Sequence, residues 1–302
     1  MLQSRLFRWV FYGHVWIALA ATSLSWISLR IAFGDDRWAN EAPLLLFIFT
    51  ATLGIYTLHR YLSFQRAGVR PNSVRYDIVA RHPAWSVGIG VTSLLIAGFL
   101  WIRFLIASWW ALLGAIPLTI FYLTPPIPGW RRLRDLPYLK NLWVAWAWTL
   151  MTVVVPVTAV ADIINDNYLK SGMIMVSNPS SINPAYTLEI IVRFLFTGCI
   201  ALLFDLRDVT LDRSQNVKTI AAEKPKLHRV LVYGSLVCCA LISFLLISKF
   251  SQPNRIGFLT GTCYLLMLPA AYYTYHKTSE DWFAVVVNGL LLLPYLALLI
   301  GL

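Results

Sequence analysis

The chain is 302 residues long, 58% hydrophobic and only 13% charged, with a formal net charge of +11 and a mean hydropathy of +0.65. So apolar a composition excludes a water-soluble globular domain and reads as an integral membrane protein. The positive charge does not require a nucleic-acid partner, because it gathers in alternate loops between apolar runs.

Apolar runs of about 17–25 residues, long enough to cross the hydrocarbon of a bilayer, number nine. They cover roughly 11–33, 42–59, 84–103, 106–124, 141–162, 187–204, 228–248, 256–275 and 282–301. Nine predicted transmembrane helices use nearly the whole chain, so residues 1–302 read as a single multi-pass membrane domain of the all-α class. The first run follows Arg5 and Arg8, as a signal peptide would, but it reaches roughly twenty residues and no evident A-x-A cleavage site ends it, so it reads as a retained helix. The segment before helix 1 and the loops after helices 2, 4, 6 and 8 together hold 18 of the 25 Lys and Arg. The opposite loops hold few, namely Arg37, Lys170, Lys249 and Arg255. This positive-inside pattern predicts a cytoplasmic N-terminus. The outer loop 163–186 reads as polar connection, and Cys199, Cys238, Cys239 and Cys263, all within predicted spans, read as small apolar residues.

At the end of helix 2 the sequence is Tyr56-Thr57-Leu58-His59-Arg60-Tyr61. Tyr56, His59 and Arg60 share a helical face by i, i+3, i+4 spacing, where they can bond an anionic headgroup or a diphosphate. A belt of interfacial Tyr and Arg has the same pattern. Helix 4 ends in Tyr122-Leu123-Thr124-Pro125-Pro126, followed by Arg131, Arg132, Arg134 and Lys140. The prolines stop the helix, and the Arg cluster is suited to phosphate, although topology alone also brings arginine here. Glu189 and Arg193, four apart near the outer end of helix 6, have ion-pair spacing; snorkelling toward the interface is the simpler account. His14, Arg103 and Asn288 read as structural.

The chain has 14 acidic residues, and three stand in Phe204-Asp205-Leu206-Arg207-Asp208-Val209-Thr210-Leu211-Asp212-Arg213. On a 3.6-residue helix Asp205, Asp208 and Asp212 fall within an arc of roughly 60°. Two readings fit: a solvated helix end paired with Arg207 and Arg213, or a Mg²⁺ site, since Mg²⁺ takes one or two carboxylates together with substrate phosphate oxygens and waters. Lys218 and Thr219 follow where the chain leaves the helix. Lys218 is suited to bind phosphate as a point charge, and equally to be an ordinary loop cation.

The run Asp205-x-x-Asp208-x-x-x-Asp212 with Val217-Lys218-Thr219, set in a nine-helix plan with polar loops after helices 2 and 6, resembles the UbiA superfamily of membrane prenyltransferases. The second aspartate-rich motif of that family is of the form D-x-R-D-x-x-x-D-x-x-x-G-x-K-T. Asp205, Arg207, Asp208, Asp212, Lys218 and Thr219 are similar to it position by position, with Asn216 in place of the glycine. Tyr122 and the segment through Lys140 are more loosely similar to the family's loop after helix 4. The family's first motif, N-D-x-x-D-x-x-x-D at the end of helix 2, is replaced by Tyr56-Thr57-Leu58-His59-Arg60.

The resemblance implies a UbiA-like bundle in which Asp205, Asp208 and Asp212 are catalytic and hold Mg²⁺. It implies a polyprenyl diphosphate contacted by Lys218, Thr219, Arg60, His59, Tyr56, Tyr122 and Arg131. The expected activity is Mg²⁺-dependent transfer of the polyprenyl group to a hydrophobic acceptor at the inner face of the cytoplasmic membrane. The missing first motif keeps two possibilities open: Arg60 and His59 replace the absent cation's charge, or the chain is a catalytically degenerate relative that binds lipid or a partner without chemistry.

Overall fold

The computed structural model describes residues 5–34, 41–66, 74–105, 109–170, 184–214, 217–247, 255–277 and 279–301. No strand occurs among them. In a medium without water, backbone N–H and C=O groups must be satisfied within the segment, and a helix does this alone. A short helix, α1 (Arg5–Phe11), precedes α2 (Val15–Phe33) and α3 (Glu41–Arg66). The short α4 (Asp77–Arg81) leads into α5 (Pro83–Leu100), α6 (Trp109–Leu123), α7 (Lys140–Thr149) and α8 (Val155–Lys170). The 31-residue α9 (Pro184–Ser214) is followed by α10 (Ile220–Glu223), α11 (Pro225–Ile242), α12 (Arg255–Thr274), α13 (Asn288–Leu290) and α14 (Leu293–Gly301).

Among the described residues, seven helical rods are long and apolar enough to cross a membrane: Val15–Phe33, Glu41–Gln65, Pro83–Phe104, Lys140–Ile163, Pro184–Thr210, Pro225–Leu245 and Arg255–Thr274. They also carry large apolar side chains outward, with Leu95, Phe99, Val230 and Leu266 each more than 60% exposed. Helices apolar inside and out belong in lipid, so this is an all-helical, multi-pass membrane protein. The nine uniform spans expected from the sequence are not all straight, full-length helices. The described part of the run at 106–124 holds a short apolar helix, Leu112–Tyr122, and the last run is bent by 54° between Trp282–Leu290 and Leu293–Ile300. Proline accounts for both: Pro125 and Pro126 stop α6, Pro117 interrupts its hydrogen bonding, and Pro294 sits in the first turn after the bend. α7 and α8 form one rod through a π-turn, Leu150–Val154. Pro156 follows it, and the wider turn relieves the collision of its ring with the carbonyl four residues back.

α2 is the hub. One side of it (Ala20, Leu24, Ile27, Ile31) packs into a core with α9, α11, α12 and the last helices, while Ala21 and Leu29 join a second core with α3, α5 and α8. Its buried Ser23, Ser25 and Ser28 are small enough to let neighbouring backbones approach.

Between α2, α7–α8 and α9 lies an ion pair in the apolar interior. Arg193, 1% exposed, donates to Glu189, to the Leu24 carbonyl and Ser28 hydroxyl (both 3.1 Å) and to the Thr152 hydroxyl (3.1 Å). Snorkelling is therefore the wrong account of this residue, because its partners lie inward on three helices. Arg193→Met should lower stability by about 3–5 kcal/mol by leaving Glu189 an uncompensated buried charge. The double variant Glu189→Leu/Arg193→Met should recover much of that loss. Unfolding in mixed micelles measures both, and a single variant as stable as wild type would contradict the burial.

Candidate functional site

α9 runs unbroken from the apolar core to Ser214, so Asp205, Asp208 and Asp212 stand on one rigid rod beyond the buried turn at Phe196–Leu203. α7 starts beside them. Tyr138 adopts the left-handed region (φ 63°) and its N–H donates to the Lys218 carbonyl at 3.0 Å, which ties the loop before α7 to the loop after α9. Small residues then bring the two helices together: Thr197 donates to the Ala145 carbonyl at 3.3 Å, and a Cβ on Gly198 would touch that of Ala145 at 3.5 Å. This packing places Lys140 and Asn141, the first two residues of α7, against the carboxylates.

The three carboxylates do not meet at one point. Lys140 Nζ lies 3.0 Å from Asp205 Oδ1 and 2.9 Å from Asp212 Oδ2, bridging two turns of α9, and Asn141 Nδ2 donates to Asp205 Oδ2 at 2.6 Å. Asp208 receives a two-pronged pair from Arg207 at 2.9 and 3.1 Å, and that guanidinium lies over the rings of Phe204 and Phe283. Among the described residues, no group of three His, Cys, Asp or Glu is arranged to hold a metal ion. Carboxylate oxygens are the hard donors that Mg²⁺ prefers, and among the described residues the buried Asp212 Oδ1 has no hydrogen-bond partner.

A cavity of about 230 Å³ opens at this end of the bundle. Its wall includes Asp205, Asp208 and Arg207 from α9, Lys140 and Asn141 from α7, Arg134 from the preceding loop, Tyr122 from α6, and Tyr56, His59 and Arg60 from α3. The face read from i, i+3, i+4 spacing on helix 2 thus looks into the same space as the aspartates. Four cationic side chains (Arg60, Arg134, Lys140, Arg207) stand against three carboxylates (Asp205, Asp208, Glu280) in that wall. Arg60 is steadied by the ring of Tyr76 at 5.5 Å.

A second cavity of about 190 Å³ lies deeper and is mainly apolar. The two share Tyr56, His59, Tyr122, Val144 and Trp148, so a charged compartment adjoins an oily one across these side chains. Trp148 fixes the junction by donating to the Tyr56 hydroxyl at 2.8 Å. Above the charged compartment, α1 forms a roof: Arg8 pairs with Asp77 on α4 at 3.3 Å, and Tyr12 hydrogen-bonds Asp281. Burial and that carboxylate raise the Tyr12 hydroxyl's pKa, keeping it protonated. The turn into α2 needs Gly13, where a Cβ would lie 2.2 Å from the Trp9 carbonyl.

Other residues singled out in the sequence stand elsewhere. Thr219 is buried and caps α10 through the Ala222 N–H. Lys218 and Arg131 are exposed, and the described wall of the cavity includes neither. Their places are taken by Lys140 and Arg134. His14 and Asn288, read as structural, also line the cavity, Asn288 with a buried Oδ1 that has no hydrogen-bond partner among the described residues. No protein-family model, curated protein or solved structure matches the chain.

Asp212 links this geometry to pH. Burial raises its carboxyl above the ordinary range, Lys140 pulls against the rise, and Asp205 and Asp208 add to it. With its folded value above its unfolded one, Asp212 contributes stability that is complete below the unfolded range and is lost as pH rises through the folded value. Lys140→Ala deletes the opposing charge. The variant's unfolding temperature should fall increasingly below wild type from about pH 4 upward and converge with it in acid; parallel curves would show that the bridge carries no such load.

Proposed function

We propose that the chain is a UbiA-like membrane prenyltransferase that binds a polyprenyl diphosphate and transfers the prenyl group to a hydrophobic acceptor. The observation that carries this reading is the adjoining pair of cavities. A head compartment rich in cations, adjoining an apolar one across Tyr56, His59 and Tyr122, has the shape and polarity of an amphiphile with a multiply charged head and an oily tail. Counting the short α6 and the bent last helix as spans gives the nine of a UbiA-like bundle. In this reading the cavity and the N-terminus face the cytoplasmic side of the cytoplasmic membrane, and the gathering of basic residues in alternate loops supports that orientation.

In this reading Arg60, Arg134 and Lys140 neutralise diphosphate oxygens by charge-assisted hydrogen bonds. Asp205 and Asp208 would hold Mg²⁺, which when bound would supply positive charge to stabilise a departing diphosphate. Asp212 acts one step back, by fixing Lys140. The C1–O bond of the prenyl diphosphate breaks at the junction of the compartments, pyrophosphate leaves toward the cytoplasm, and the acceptor forms the new bond and gives up a proton. Lys140 and Arg60 supply fixed positive charge where the family's first motif would hold a second metal.

A second reading is favoured by one feature: Asp205 and Asp212 are met by Lys140, and Asp208 by Arg207. A site whose carboxylates are matched by its own cations can bind an anionic headgroup without ionising it. Purified protein given a prenyl diphosphate decides between them, since the enzyme releases pyrophosphate in a Mg²⁺-dependent manner and the binder does not. Asp208→Asn should weaken prenyl diphosphate binding in Mg²⁺ by at least tenfold, about 1.4 kcal/mol. Arg60→Ala should abolish turnover while binding of the metal persists. Unchanged titration and turnover in both variants would sink the assignment of the cavity.

A further inference from the structure

Resting on that reading of the head compartment, we infer that the apolar compartment is closed at its far end by the Thr152–Arg193 contact and accepts only a short prenyl tail, of farnesyl to geranylgeranyl length. The compartment runs along α7 from Trp143 to Thr152. Twelve residues separate Lys140 from Thr152, roughly 18 Å of helix at 1.5 Å per residue. A tail anchored by its diphosphate at Lys140 has that depth to fill, which is between the extended lengths of farnesyl and geranylgeranyl chains.

The walls at the deep end are Ala21 of α2, Thr52 of α3, Leu118 of α6, and Met151 and Thr152 on the π-turn. One turn further out the same helices are solid core: Ser25, Ile48 and Val155 are all fully buried. The floor is also stiff. The Thr152 hydroxyl donates to the Trp148 carbonyl at 2.7 Å and accepts from Arg193 Nη1 at 3.1 Å, while Arg193 is held by Glu189, Ser28 and the Leu24 carbonyl. An aliphatic floor can yield by changing rotamer, but displacing this one strips hydrogen bonds from an ion pair sealed in apolar surroundings. The ion pair that the chemistry of the head compartment does not use thereby acquires a role, as the fixed stop for the tail.

The test is binding, without turnover, of a series of prenyl diphosphates (geranyl, farnesyl, geranylgeranyl, octaprenyl) to the full chain in nanodiscs, with inorganic pyrophosphate as the tail-less reference. Affinity should rise to a maximum at farnesyl or geranylgeranyl and fall at least about tenfold for octaprenyl. Met151→Ala, which deepens the floor without touching the ion pair, should move the optimum to longer chains. Leu118→Trp should move it toward geranyl. Octaprenyl binding as tight as geranylgeranyl binding, or an optimum unmoved by both variants, would overturn the fixed stop while leaving the headgroup site standing. Failure of every member, pyrophosphate included, would overturn both readings together.

Discussion

Lys140 holds two buried carboxylates, Asp205 and Asp212, that are two helical turns apart on α9, and much of the site follows from that contact. Asp205 and Asp212 are each 1% exposed, and neither could be left charged at this depth without a partner. The ammonium satisfies both, and in doing so it fixes α7 against α9 in both register and rotation. Asn141, the next residue, then reaches the second oxygen of Asp205. Trp148, two turns on, is directed to Tyr56 on α3, which sets the junction between the charged and oily compartments. A lysine at the start of one helix thus orders the wall of the cavity on three.

The opposite part of α9 repeats the device with reversed geometry. There a cation on α9, Arg193, takes its partners from α2 and the π-turn. The two polar knots lie twelve residues apart, about 18 Å along one helix, and the oily compartment spans the interval between them. Polar groups in a membrane interior are costly and persist where something depends on their position. Here the helices they fasten are the walls of the compartments, and the apolar packing of Phe196, Cys199 and Leu203 fills the face of α9 turned the other way.

Much of this was legible in the sequence, for physical reasons. Apolar run length indicates the helical class and membrane setting, and i, i+3, i+4 spacing groups Tyr56, His59 and Arg60 on one helical face, all three of which line one cavity. The helical run from Asp205 to Asp212 was also readable. Partners brought by tertiary packing were not. Nothing in local spacing says that Lys140 and Asn141 meet α9, because that contact depends on small residues at Ala145 and Gly198 permitting close approach. Spacing likewise gives Glu189–Arg193 as a pair without saying which way the pair faces, since Ser28 and Thr152 come from other helices. Thr219 and Lys218 matched a motif, yet beyond the end of α9 Thr219 caps α10 and Lys218 is exposed. Proline broke the even count of spans, at places where composition alone reads as continuous helix.

The central claim is that one amphiphile occupies both compartments, head at Arg60 and Lys140 and tail toward Thr152. A structure determined with farnesyl thiolodiphosphate bound tests it most directly. The account predicts both phosphorus atoms between Arg60, Arg134 and Lys140, with the chain passing Tyr56 and Tyr122 toward Met151. A headgroup seated instead at the exposed Lys218 and Arg131, or a tail lying against the outer surface of α6 with the inner compartment empty, would contradict it.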